Sequence, residues 1–190
     1  MKKWLISLAL IATVPAQAQW HLDSEQSALS FVSTKAINIA EVHRFGTLSG
    51  VVDDDGQVAI SIDLGTVDTA IELRDDRMRE MLFNTAEYPT AEISAKIDNE
   101  ALDALAPGQS TDMAVESMLT LHGTERPVTM EVVVARTGED SLMVTTKKPI
   151  IINAAEYALG DGVEALRAIA GLPSISLAVP VSFVLTFGKE

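Results

Sequence analysis

From Ser174 to Phe187 the chain is written in alternation. Ile175, Leu177, Val179, Val181, Phe183, Leu185 and Phe187 are large and apolar, and the positions between them read Ser174, Ser176, Ala178, Pro180, Ser182, Val184 and Thr186. Successive side chains of an extended chain point to opposite faces, so a period of two dictates a strand with one apolar face. A chain holding such a strand must cover that face with other strands or with helices. Pro180 has no N–H for a ladder and marks a bulge or an unpaired edge.

The same pattern returns along the sequence. Val58, Ile60 and Ile62 alternate with polar or small residues, as do Ala91, Ile93, Ala95 and Ile97. Val115, Ser117, Leu119 and Leu121 share one face, and Val128, Met130, Val132 and Val134 share the next. Leu29 with Phe31 opens the series, and Leu142 with Val144 falls before Pro149. Asp53-Asp54-Asp55-Gly56, Pro107-Gly108 and Gly138-Glu139-Asp140 lie between the runs as turn chemistry. About eight strands with one apolar face each predict an all-β antiparallel fold, either a barrel or two packed sheets. Closure removes exposed edges. The interior of an eight-stranded barrel is just wide enough to be filled by side chains or to hold one slender ligand. Alternation alone fits barrel and sandwich equally.

Two segments depart from this period and predict short helices. Leu73, Arg77, Met81 and Asn84 recur at helical spacing within Glu72 to Asn84, and Pro89 bars further extension. Asp161 to Ala170 has an N-cap candidate in Asp161, Glu164 three residues on, one face of Val163, Leu166 and Ile169, and a stop at Gly171 and Pro173. This second helix suits either a lid over a barrel mouth or, more commonly, a packed surface helix.

Residues 1–18 read as a removable leader: Lys2 and Lys3, an apolar run from Trp4 to Val14, then Ala16-Gln17-Ala18. The run is too short to span a bilayer, so the expectation is export to a bacterial periplasm, or release to the medium, of a single domain over 19–190 without stable membrane insertion. The net charge of −13 repels phosphate backbones and argues against a nucleic-acid partner. With no cysteine, the fold takes nothing from disulfides.

Chemistry-bearing patterns are few. No G-x-S-x-G, H-E-x-x-H or Gly-rich phosphate loop occurs. His21, His43 and His122 stand far apart and predict solvated or hydrogen-bonded surface histidines rather than a metal set. Asp53, Asp54 and Asp55 lack the alternating ligands of a calcium loop and fit a hairpin turn. No carboxylate sits in an apolar setting suited to acid–base work. Arg74, Asp75, Asp76, Arg77 and Arg79 form a mixed-charge cluster with two readings: a headgroup clamp by Arg74 or Arg77, or local pairing that fixes the connector, the commoner fate of such clusters.

Two blocks carry a resemblance. Arg74 to Pro89, RDDRMREMLFNTAEYP, fits the form R-D-x-x-(L/M)-x-x-x-x-F-(N/D) leading to (K/E)-Y-P. Leu119 to Thr129, LTLHGTERPVT, fits L-T-(L/I)-x-G-x-(T/E)-(K/R)-P-V-T. Together they resemble the YceI-like family of periplasmic lipocalin-like barrels that bind polyisoprenoids, over roughly Trp20 to Phe187. The resemblance implies an elongated eight-stranded barrel with one or two short helices and a long apolar tunnel. It implies a non-catalytic protein, monomeric or weakly dimeric, that sequesters or carries an isoprenoid, quinone-like or fatty acyl amphiphile and needs no cofactor. On that reading the alternation places Leu29, Phe31, Ile60, Ile62, Ile93, Ile97, Val115, Leu119, Val132, Leu177, Val181 and Phe183 near the ligand. Ala91, Ala95 and Ser117 would leave it room. The sequence departs from the family at His43-Arg44, within Ile37 to Gly50, and after Pro149, where Ile152 to Gly160 and the second helix replace an R-x-D-F-G element.

Two rival readings stand beside this one. A packed-core interaction protein would bind no small molecule, and Ile93→Trp would only overpack it. An enzyme acting on a bound amphiphile would place His43 or His122 in the pocket beside a carboxylate.

Overall fold

A computed structural model describes residues 19–189; the leader expected over 1–18 lies outside the described residues. The long strand β1 (Trp20–Lys35) turns back through a tight hairpin into β2 (Ile39–Phe45) and its continuation β3 (Leu48–Val52). Then follow β4 (Gln57–Asp63), the short β5 (Val67–Asp68), helix α1 (Glu72–Arg77), β6 (Thr90–Lys96), helix α2 (Asn99–Asp103), β7 (Ser110–Leu121) and β8 (Thr124–Gly138). The chain ends with β9 (Ser141–Thr146), β10 (Ile150–Asn153), helix α3 (Gly160–Ile169) and β11 (Ala178–Lys189).

All pairings are antiparallel, and the ring β1-β3-β4-β6-β7-β8-β9-β11 closes where β11 returns to β1, pairing Phe183 with Leu29 and Phe187 with Leu22. This is an eight-stranded barrel of lipocalin-like form. The alternation is satisfied by closure, because the apolar face of every ring strand then meets the others inside. Two strands are bent into pairs: β2 and β3 both run along β1, and β9 and β10 both run along β11. The ladder from β11 to β1 stops at Val181, one residue short of Pro180, which has no N–H to continue it.

The interior has two halves. At one pole Trp20, Val52, Val134, Leu142, Leu185 and Phe187 are buried and fill the bore. Helix α2 plugs that end with Leu102, and the amide of Asn99 ties it to the β3–β4 turn by donating to the carbonyls of Asp53 and Asp54 at 2.8 and 2.9 Å. At the other pole α1 and α3 lie across the opening. Helix α1 continues as a π-helical turn over Met78–Phe83, and Asn84 ends it at φ +48°, so the stop is this left-handed residue rather than Pro89. Helix α3 crosses that turn at Gly162, where a Cβ would stand 2.7 Å from the Met81 carbonyl oxygen; a side chain there would force the two apart.

One line of the wall carries no ladder. β8 pairs with β9 from Val132 onward, and the main chain of Lys147 still reaches the Glu131 carbonyl, but no rung joins β8 to β10 among the described residues. A groove of about 390 Å³ runs along this seam between Thr129 and Ile151, bridged by the Lys148–Glu131 ion pair at 2.6 Å.

Candidate functional site

The half of the bore beneath α1 and α3 is hollow, a cavity of about 430 Å³. Its walls are Leu29 and Phe31 of β1, Phe45 of β2, Ile62 of β4, Ala91 and Ile93 of β6, Ser117 and Leu119 of β7, Met130 of β8, Ile150 and Ile152 of β10, and Val181 and Phe183 of β11. Its roof is Met78, Leu82 and Phe83 with Val163, Leu166 and Ile169 of α3. The interior is therefore not solid side chain, and α3 forms part of the cavity rather than packing only on the surface.

Seven of the twelve positions read from the alternation line this space: Leu29, Phe31, Ile62, Ile93, Leu119, Val181 and Phe183. The other five do not. Ile60, Ile97, Val115 and Val132 face inward at or below the level where the bore fills, and they pack into the core. Alternation selects the inner face but says nothing of height along the barrel axis. Leu177 is exposed because β11 begins only at Ala178, and the connector from Ser174 bends outward there. Of the small residues, Ala91 and Ser117 line the cavity and Ala95 does not.

The polar end of the cavity comes from positions the alternation could not find. On β2 the inward residues are Glu41, His43 and Phe45, while Val42 points out; the usual hydrophobic parity is inverted. His43 is thus not a surface histidine: it is 3% exposed, and its Nε2 lies 2.8 Å from the Ser33 hydroxyl. Burial, with the nearby Arg74 guanidinium, pushes its pKa down, so the imidazole is neutral at pH 7. Glu41 accepts from Lys35 at 2.7 Å and from Arg74 at 2.8 Å, and the Lys35 hydrogen bond, ahead of the Arg74 charge, lowers its pKa. Arg74 also donates to the Thr69 carbonyl, while Asp75 accepts from the Thr69 N–H and hydroxyl, so α1 is bolted to β2 and β5. Arg74 therefore fixes the connector, through Glu41 rather than Asp75, and also faces the cavity together with Arg77. Arg44 points outward to Asp68.

A Ser–His pair in a pocket is half of a nucleophilic constellation. Here the His43 Nδ1 has no hydrogen-bond partner among the described residues, and no carboxylate among them orients the ring. His122 is not among the cavity-lining residues; it sits in the tight β7–β8 turn at φ +49° beside Gly123, with its ring 4.5 Å from that of Tyr88. A Cβ on Gly123 would meet the Tyr88 ring at 2.8 Å. The two sequence blocks thus touch directly, Tyr88 against His122-Gly123. Asp53 to Gly56 is a hairpin turn in which Asp53 accepts from the Gln57 N–H.

An apolar sleeve with one polar, cation-bearing end suits a molecule with an apolar tail and a polar head. An eight-stranded barrel enclosing such a sleeve is a lipocalin-like binding protein. The chain belongs to the YceI-like family: the YceI-like domain matches residues 20–187. It is similar to a solved polyisoprenoid binding domain from Saccharophagus degradans implicated in plant cell wall breakdown, at 38% identity and TM-score 0.89 over 92% of this chain and 99% of that one. It shares its fold with BcnA of Burkholderia cenocepacia at 23% identity, TM-score 0.67, over 87% and 98% of the two chains. The same holds for the Campylobacter jejuni YCEI protein at 14% identity, TM-score 0.54, over 78% and 84%. No curated protein matches the chain.

Proposed function

We propose that this chain is an exported, non-catalytic binding protein that holds one long apolar amphiphile, with its tail among Phe31, Ile93, Leu119 and Phe183 and its head toward Ser33, Glu41, His43, Arg74 and Arg77. The observation that carries the reading is the 430 Å³ apolar cavity with its single polar end. At roughly 30 Å³ per water-sized group it takes on the order of 14 chain carbons. Burying them yields about 11 kcal/mol gross, at about 0.8 kcal/mol each. Association costs of at least about 4 kcal/mol leave at most about 7 kcal/mol, so the affinity is micromolar at best. The polyisoprenoid binding domain from Saccharophagus degradans supports an isoprenoid as the tail. The absence of an orienting carboxylate on His43 favours binding over turnover. Lys2, Lys3 and Ala16-Gln17-Ala18 support a periplasmic site of action.

Native mass spectrometry of the protein from a periplasmic extract, with organic extraction, tests this. A discrete adduct that extracts as an isoprenoid, quinone or fatty acyl species is expected. A clean ligand-free mass that persists after soaking with such lipids would refute the carrier reading.

A further inference from the structure

Of the nine exposed large aliphatic side chains among the described residues, Val42, Ile151, Leu177 and Val184 stand on the outer wall, and five fall on elements that meet beside the polar end. Ile37, Ile39, Ile71, Leu73 and Ile169 all stand open to solvent. The first four lie within three residues of Lys35, Glu41 or Arg74 at the polar end of the cavity, and Ile169 lines the cavity roof. Three elements far apart in sequence supply them: the β1–β2 hairpin, the start of α1 and the end of α3. The hairpin is held against the connector after α3 by hydrogen bonds from Ala36 to Ser174 at 3.0 Å and from Ser176 to Thr34 at 2.8 Å. It is held against α1 by Arg74 on Glu41. The five side chains therefore form a collar around the mouth.

Two of them sit where local rules would choose another residue. Ile37 is 87% exposed at φ +74°, and the Asn38 N–H reaches back across it to the Ala36 carbonyl at 3.0 Å. This is the backbone of a tight three-residue turn, a strained conformation for any side chain and most of all for a β-branched one. Glycine or asparagine would hold it at less cost. Ile71 is the N-cap of α1 and gives no side-chain hydrogen bond, where serine or aspartate would satisfy a free N–H. In both places the fold carries an exposed isoleucine against its own local preference.

We propose that this collar is a docking surface for a phospholipid bilayer, with the hairpin tip entering first so that the cavity mouth opens onto the acyl chains. The inference rests on the reading of the cavity as an amphiphile carrier. A bilayer is the favoured occupant because collar and cavity wall are continuous through Ile169. A tail leaving the cavity passes from apolar wall to apolar rim to hydrocarbon without crossing water, a path that a protein partner would not need. Charge does not drive the contact. The chain carries −13, and beside the mouth Lys35 and Arg74 are both paired to Glu41. Attachment is by burial of a few aliphatic side chains, so it is reversible and nearly independent of salt.

The test is sedimentation of the full exported chain with phosphatidylcholine vesicles at low and high salt, comparing wild type, Ile37→Gly and Ile71→Ser. Uptake of a fluorescent eighteen-carbon polyene fatty acid is read separately, without vesicles, as an order-of-magnitude probe of the about fourteen-carbon cavity. Both substitutions relieve a local misfit, so the variants are expected to melt no lower than wild type. Each should lower vesicle partitioning about tenfold and leave fatty-acid uptake unchanged. Failure of wild type to associate with vesicles, or equal association of the variants, overturns the proposal. A dimer of the wild type that both substitutions abolish overturns it too, because the collar then covers a second copy. Vesicle association without any fatty-acid uptake supports the collar and removes the carrier reading instead.

Discussion

Ile93→Trp separates a hollow barrel from a packed one by the sign of its effects. Ile93 sits midway across the cavity wall on β6, between Ile60 of β4 and Leu119 of β7. In a solid core the larger ring would overpack neighbours at about 1–3 kcal/mol. For a domain of this size that lowers the melting temperature on the order of 5 °C. In the hollow barrel the indole projects into empty space, gains contacts, and leaves the ligand-free melting temperature unchanged or higher. The added bulk of the ring, about two chain carbons at roughly 30 Å³ each, displaces ligand worth about 0.8 kcal/mol per carbon. That is about 1.6 kcal/mol, and binding weakens on the order of tenfold. Calorimetry of the delipidated protein reads the first effect and titration with a long-chain fatty acid or prenol the second. A lower melting temperature with unchanged affinity would refute the placement of the cavity.

Gly162→Val should push α3 off the π-helical turn, since its Cβ would lie 2.9 Å from the Leu82 Cα; faster ligand release in stopped-flow displacement is the expected result. Gly123→Ala places a methyl against Tyr88 at φ +72° and should cost at least about 1–2 kcal/mol in denaturant unfolding, with ligand affinity unchanged. His43 has a folded pKa below that of an unfolded histidine, so the unfolded chain takes up its proton first. The stability it contributes is fully present above about pH 6.5 and is lost as pH falls from there through its folded pKa. His43→Leu should lack that part of the pH dependence in urea titrations; an unchanged slope would contradict a buried neutral ring.

Seven of the eight ring strands were legible because each has one apolar face, and Ile175 to Phe187 announced the last of them; β3 was not read, since Leu48 to Val52 is too short a run to show the period. The two helices were legible from Leu73-Arg77-Met81 and Val163-Leu166-Ile169. Closure was not, since alternation fits a sandwich equally; the Arg74–Pro89 and Leu119–Thr129 blocks decided it. Height along the bore was also hidden, so Ile60, Val115 and Val132 could not be told from Ile62, Leu119 and Met130. The polar end was hidden for a different reason. On β2, Glu41 and His43 turn inward beneath α1 while Val42 turns out, and only the tertiary partners Lys35, Ser33 and Arg74 make that arrangement stable. Helix α2 carried too short a pattern to be read.

The seam between β8 and β10, where no ladder is formed among the described residues, is the place where the wall of this barrel would yield first. A fully bonded hoop has a fixed girth, because widening it anywhere breaks ladder hydrogen bonds. Here Val128, Ile150 and Ile152 face both the cavity and the seam, and the ties across it among the described residues are the Lys148–Glu131 ion pair and the single main-chain hydrogen bond from Lys147 to Glu131. The wall has a pleat. For the proposed ligand, widening the wall at that pleat would break one main-chain hydrogen bond and side-chain contacts instead of a full ladder, whereas the packed floor at Trp20 and Leu102 would limit tail length.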